Sequence, residues 1–248
     1  MNRKKIITYF IITFAITYTS WWGLALLTNL NMIHSSQGLF PFLFTLGGFG
    51  PTIAAILVLP EKRPISVLKF IFSCQKNSFW YLLLFCAMQG AVIGFSSMEI
   101  NPQLPWYAAP IVMLSATLVS GGNEELGWRG TMQPELEKKF PFPTATLITG
   151  CIWMTWHIPL WFIKGMSHQS IHFGLYCIYG LILSFWLATL YKKTTSVFCC
   201  AVFHGFSNLM LSMFVIKVNW LLVVGLIAAL VFSIWLYYKN TEIQRQSS

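Results

Sequence analysis

Apolar residues run through this chain in long blocks, separated by short polar stretches. A helix that crosses the hydrocarbon core of a bilayer needs about 20 mainly apolar residues. Eight blocks come near that length: 6–28, 38–59, 78–98, 106–123, 143–163, 171–191, 195–214 and 218–238. The pattern predicts an all-α, polytopic transmembrane helix bundle of about eight spans. The fourth block is expected to continue as a polar helix through Glu124 and Arg129 toward Phe140. Segment 64–74 is too short to span and reads as an interfacial helix. No repeat, linker or low-complexity tract breaks the series, so 1–248 reads as a single integral membrane domain.

Composition narrows the picture. The chain is 56% hydrophobic and 9% charged, whereas soluble domains carry about 25% charged residues. Little chain is left for a soluble domain. The net charge of +9 comes from basic residues scattered between apolar blocks. They mark topology rather than a nucleic-acid surface, and the expected surroundings are the lipid bilayer. With the N-terminus in the cytoplasm and eight alternating spans, the outer segments hold only Lys164 and Lys217, and the other fourteen of the 16 basic residues fall on the cytoplasmic side. Both termini are therefore expected to be cytoplasmic. Arg3, Lys4 and Lys5 before the first block suggest a signal peptide, but the block is long and no clean cleavage site follows, so a retained span is expected. The six cysteines contain no Cys-x-x-Cys pair and read as small buried hydrophobes, not as disulfide or zinc positions.

Against this background the stretch Asn123-Glu124-Glu125-Leu126-Gly127-Trp128-Arg129-Gly130 stands out. Only seven residues are acidic, all of them glutamate, and two sit side by side here. Charge at membrane depth is costly and marks either a site or a structural ion pair. Glu125 and Arg129, four apart, share one helical face and fit an intrahelical pair. Glu124 is rotated about 100° from Glu125, free to face a cavity. His157 falls inside the fifth block. His204 and Asn208, also four apart, share a face in the seventh, with Gly205 permitting close approach of another helix or a substrate backbone. His34, His168 and His172 lie in or beside outer loops and read as solvated. The bland reading of each motif is packing: a charge cluster ending a span, a hydrogen-bonded histidine, an interhelical His/Asn contact. Taken together they also suit catalysis. Burial raises the pKa of a carboxylate toward that of a useful general base. Histidine shares the proton, and His with Asn donates to an oxyanion. His and Glu are equally zinc ligands, so Glu124, His157 and His204 are the candidate metal set.

Glu124-Glu125-x-x-x-Arg129, Trp153-x-x-x-His157 and His204-x-x-x-Asn208, in that order and in separate blocks, resemble the motifs of the CAAX protease and bacteriocin-processing (CPBP, or Abi) family of intramembrane endopeptidases. The resemblance covers about 107–214, and Gln133-Pro134-x-Leu136 extends it. Trp153 stands where the family motif is usually written with Phe, which retains an aromatic wall toward substrate. The resemblance implies that Glu124 activates water with help from His157, that His204 and Asn208 stabilise the oxyanion, and that Glu125 and Arg129 are structural. It implies a peptide or protein substrate at the membrane. The compact chain and the Trp156-His157-x-Pro159 pattern suggest a bacterial cell membrane, and the basic bias predicts a site opening toward the cytoplasm. No cofactor is favoured, and zinc stays open.

Residue content removes other proteolytic chemistries. Without aspartate no two-aspartate mechanism exists, and His-Glu-x-x-His is absent. Ser120 and Ser207 lack a Ser–His context. The non-enzymatic alternatives are a transporter or a bacteriocin-immunity protein that acts by binding through a buried Glu/His site. Transport is disfavoured because no matching half precedes the motif-bearing one.

Overall fold

All eight apolar blocks contain helix in the computed structural model, which describes residues 1–36, 38–96 and 99–246, with side chains described as far as Lys239. The helices are α1 (Arg3–Asn29), α2 (Leu39–Gly48), α3 (Gly50–Val58), α4 (Pro64–Phe72), α5 (Ser78–Ser96), α6 (Ala109–Leu118), α7 (Glu125–Gly127), α8 (Gln133–Glu137), α9 (Phe142–Trp156), α10 (Phe173–Thr194), α11 (Val197–Met213) and α12 (Trp220–Gln246). Residues 97 and 98, the end of the third expected block, lie outside the described residues. Among the described residues no strand forms, and an isolated antiparallel bridge joins Ile100 to Phe214. The protein is an all-α membrane helical bundle.

Length separates the helices into two groups. α1, α5, α10 and α12 are each long and apolar enough to cross a membrane, and α2 with α3 makes a fifth such unit bent by 45°. α6, α9 and α11 have 10, 15 and 17 residues, short of the roughly 20 of a straight span. Glycine and proline explain the shortening of α6 and α9. α6 stops before Ser120-Gly121-Gly122, where Gly121 takes φ +139°, a conformation that side chains other than hydrogen resist. The fourth block therefore does not run on as one polar helix. α9 stops at His157 because Pro159 lacks an N–H and disfavours helical backbone in the residue before it. The chain continues as a 3₁₀ turn over Ile158–Phe162, so His157 ends a helix instead of lying well inside one. α11 follows Thr195, at φ 50°. Ser196 caps it by accepting the Cys199 N–H at 3.2 Å.

The chain forms two compact units, each from two stretches: residues 1–68 with 123–184, and residues 69–122 with 185–248. α10 passes from one to the other after Ser184.

In the first unit α1 packs on α2 and α3. Pro51 has no N–H to give to the Gly47 carbonyl four residues earlier. The Thr17 hydroxyl of α1 donates to that carbonyl instead, at 2.7 Å. The Trp156 indole of α9 then donates to the same hydroxyl at 2.7 Å. α1 turns a polar stripe of Thr13, Thr17, Ser20 and Thr28 into the protein. Thr17 serves the backbone of the bent helix, while the Thr28 hydroxyl donates back to the Leu24 and Ala25 carbonyls of its own helix.

In the second unit α11 packs on α6 and α5, and α5 on α12. A Cβ on Gly205 would lie 2.8 Å from the Thr117 backbone N, so the close approach that Gly205 allows is taken by α6. Thr189 and Ser233 join α10 to α12 by a 3.0 Å hydroxyl contact.

All six cysteines are free thiols, but only Cys199 and Cys200 are buried, while Cys74 and Cys151 are exposed. The expectation of six buried thiols fails at Cys74, which lies past the end of α4, and at Cys151, which sits on an exposed face of α9.

Candidate active site

The glutamate motif sits on irregular helix. Three α-helical residues, Glu125–Gly127, lead into a π turn over Trp128–Met132 and then into α8. Pro134 offers no N–H to the Gly130 carbonyl, and the widened turn before it absorbs the misfit. The Thr131 hydroxyl reaches five residues back to the Leu126 carbonyl at 3.0 Å. Asn123 fastens the start of this segment to the bend of α2 and α3. Its side-chain amide donates to the Gly48 carbonyl at 3.0 Å, and its own carbonyl accepts from Thr52. Gly127 lies against α1 and α3, where a Cβ would come within 2.5 Å of the Tyr9 hydroxyl and 2.7 Å of the Pro51 carbonyl.

Glu124 is 5% exposed. Its Oε2 accepts two indole N–H groups, from Trp128 at 3.1 Å and from Trp153 at 2.8 Å. Glu125 and Arg129 are fully buried and pair at 3.3 Å. Arg129 also donates to the Ser184 hydroxyl at 3.1 Å and lies 5.0 Å over the Trp153 ring. The i,i+4 spacing thus sends Glu125 into an internal ion pair and leaves Glu124 to the tryptophans.

His157 is buried with its Nδ1 2.8 Å from the Trp153 carbonyl oxygen. A carbonyl oxygen only accepts, so the proton of neutral His157 sits on Nδ1 and Nε2 carries the lone pair. Trp156 at 4.7 Å, Tyr176 at 5.4 Å and Trp153 at 5.5 Å meet its ring edge-on. Glu124 and His157 are therefore joined through Trp153, which gives its side chain to one and its backbone to the other.

In the second unit His204 is buried and Asn208 half-buried on one face of α11. Both point at the Ser120-Gly121 turn. The Asn208 amide donates to the Ser120 carbonyl at 2.9 Å. A Cβ on Gly121 would fall 2.5 Å from Asn208 Nδ2 and 3.0 Å from His204 Nε2. The glycine is required both for its φ and for the space these side chains occupy.

Of the residues singled out in the sequence, the first unit brings together Glu124, Glu125, Arg129, Trp153 and His157, and the second unit brings together His204 and Asn208. Sequence reasoning missed Trp128, Tyr176 and Ser184. Trp128 was within reach, since it lies four residues from Glu124 on the same helical face. Tyr176 and Ser184 come from a distant helix and carry no local signal. The outer histidines divide. His34 and His172 are exposed, whereas His168 is half-buried beside Trp161 and Tyr176, and burial pushes its pKa down to about 4. Among the described residues no group of three or more His, Cys, Asp or Glu side chains is placed to hold a metal ion.

Residues 105–210 match the family described as type II CAAX prenyl endopeptidase Rce1-like. The chain is also similar to CAAX prenyl protease 2 of Methanococcus maripaludis, at 23% identity over 226 residues, which covers 81% of this chain and 82% of that protein.

Proposed function

We propose that the chain, whose residues 105–210 match the type II CAAX prenyl endopeptidase Rce1-like family, is a water-activating endopeptidase held in the membrane, with Glu124 as general base. Glu124 removes a proton from water, and His157, with its Nε2 lone pair, shares that proton. The hydroxide attacks the scissile carbonyl carbon. His204 and Asn208 donate to the oxygen as it becomes negative. The proton then passes to the departing amine as the C–N bond breaks, so no charge is left behind. Glu125 and Arg129 neutralise one another and hold the segment that carries Glu124. The observation that carries this reading is the shared anchor of Glu124 and His157 on Trp153.

The substrate is a peptide or protein at the membrane. The name of the archaeal relative points to a prenylated C-terminal tail, and an unmodified membrane-associated peptide is the competing class. We place both termini and the mouth of the site on the cytoplasmic side, where the basic residues collect. Purified protein in detergent or nanodiscs, offered fluorogenic peptides with and without an S-farnesyl cysteine, tests activity and substrate class together. Glu124→Gln is the control. Cleavage by wild type alone supports the reading, and equal cleavage by Glu124→Gln overturns it.

A further inference from the structure

Trp153 is held on three sides within the first unit. Its indole N–H meets Glu124 Oε2 at 2.8 Å, its ring lies under the Arg129 guanidinium at 5.0 Å, and its carbonyl takes the Nδ1 proton of His157 at 2.8 Å. It is 2% exposed. An aromatic residue that only walled a substrate groove would need none of these polar contacts. A tryptophan used only as core filler would direct its N–H to any nearby carbonyl. Here the N–H is spent on the carboxylate proposed as the base.

Resting on that assignment, we propose that Trp153 is a positioning residue for catalysis, which fixes the carboxylate of Glu124 and the ring of His157 relative to one another. Two features separate its role from that of Trp128, the other donor to Oε2. Trp128 lies on the same helical segment as Glu124, four residues on, so its contact constrains Glu124 only locally. Trp153 comes from α9, one turn before His157, so its contact ties Glu124 to the helix that carries its catalytic partner. The cation over its ring adds to the fixed orientation. A guanidinium over the face of an indole is attracted to it, which favours the ring plane in which the N–H points. Two donors on one oxygen settle the rotation of the carboxylate before water arrives, which is how preorganisation contributes to rate.

The test isolates the N–H from the shape of the side chain. Trp153 is replaced by β-(3-benzothienyl)alanine, which keeps the bicyclic ring and lacks the donor. The expected result is a fall in kcat of about tenfold, the effect of losing one charge-assisted hydrogen bond, with KM unchanged and a melting temperature close to wild type. Unchanged kcat overturns the proposal, as does a rise in KM that accounts for the whole loss. Should that variant fail to fold, NMR of wild type labelled at the indole nitrogens gives the answer without it. The Trp153 signal, assigned through Trp153→Phe, is expected to move upfield in Glu124→Gln, because an amide oxygen is a weaker acceptor than a carboxylate. A Trp153 signal that stays in place overturns the proposal. Should Glu124→Gln cleave as wild type does, the functional reading fails, while the NMR shift still reports whether the Trp153–Glu124 bond exists.

Discussion

The indole N–H of Trp153 donates to Oε2 of Glu124, 29 residues earlier in the chain, across 2.8 Å. Four residues beyond Trp153, His157 donates its Nδ1–H to the carbonyl of the same tryptophan. A rotation of α9 by one residue, about 100°, would break the contact to Glu124 and carry His157 away with Trp153, because the bond between those two is internal to the helix and its C-cap. The register of α9 is therefore tied to the orientation of the two groups that share the proposed proton.

The adjacent glutamates are expected to respond differently to the same change. Glu124→Gln should lower turnover by about 10²–10⁴-fold, the usual contribution of a positioned base, with expression and melting temperature nearly unchanged. Glu125→Gln should lower the melting temperature and the yield, because it leaves a buried guanidinium without its carboxylate. Thermal unfolding measured beside peptide cleavage separates the two effects, and activity lost only in a stable Glu125→Gln reverses the assignment.

Asn208→Ala should lower turnover by about 10²–10³-fold with modest change in substrate affinity, as loss of an oxyanion donor does. Prolonged treatment with chelators should leave wild type active. Loss of cleavage on chelation, restored by zinc with one metal bound per chain, would instead make Glu124, His157 and His204 the ligands.

Glu135 predicts an acid limb in stability. Burial opposes its ionisation, but the Lys138 ammonium at 2.7 Å, the Asn2 backbone N–H at 3.0 Å and Lys5 at 3.6 Å outweigh that and hold its pKa at about 2. The ionised carboxylate is thus favoured in the folded state over the unfolded one. Its contribution is complete above the ordinary glutamate range near 4.5 and is lost as pH falls toward 2. The melting temperature of wild type should decline over that window. Glu135→Gln should start lower at neutral pH and decline less.

Topology is open to direct measurement. Reporter fusions after Lys193 and Lys239 should read cytoplasmic, and fusions at Lys164 and Lys217 external. The opposite pattern would overturn both the eight-span count and the direction in which the site opens.

Hydropathy made the fold class and the order of helices legible, because an apolar run of spanning length has few other fates. It could not show where helices stop. Gly121 and Pro159 each cut a run that reads as continuous, and both cuts fall beside residues of the candidate site. Spacing in the sequence was enough for the Glu125–Arg129 pair, since i,i+4 contacts are local, and the same rule applied to Glu124 would have named Trp128. Nothing local could have named Ser184 as the partner of Arg129 or Tyr176 as a neighbour of His157. Those contacts depend on how α10 packs, which a single chain's periodicity does not encode.

Thr17 carries a consequence for engineering. Its hydroxyl serves the Gly47 carbonyl and the Trp156 indole, and Tyr9 and Pro51 crowd Gly127 from the same side. Thr17, Gly47, Tyr9 and Pro51 all lie before residue 105, where the family match begins. Excising 105–210 as a minimal enzyme would strip the motif-bearing helices of a built-in template. Supplying residues 1–68 as a separate polypeptide, by co-expression or split-intein pairing, should rescue assembly of such a fragment where added lipid or detergent alone does not.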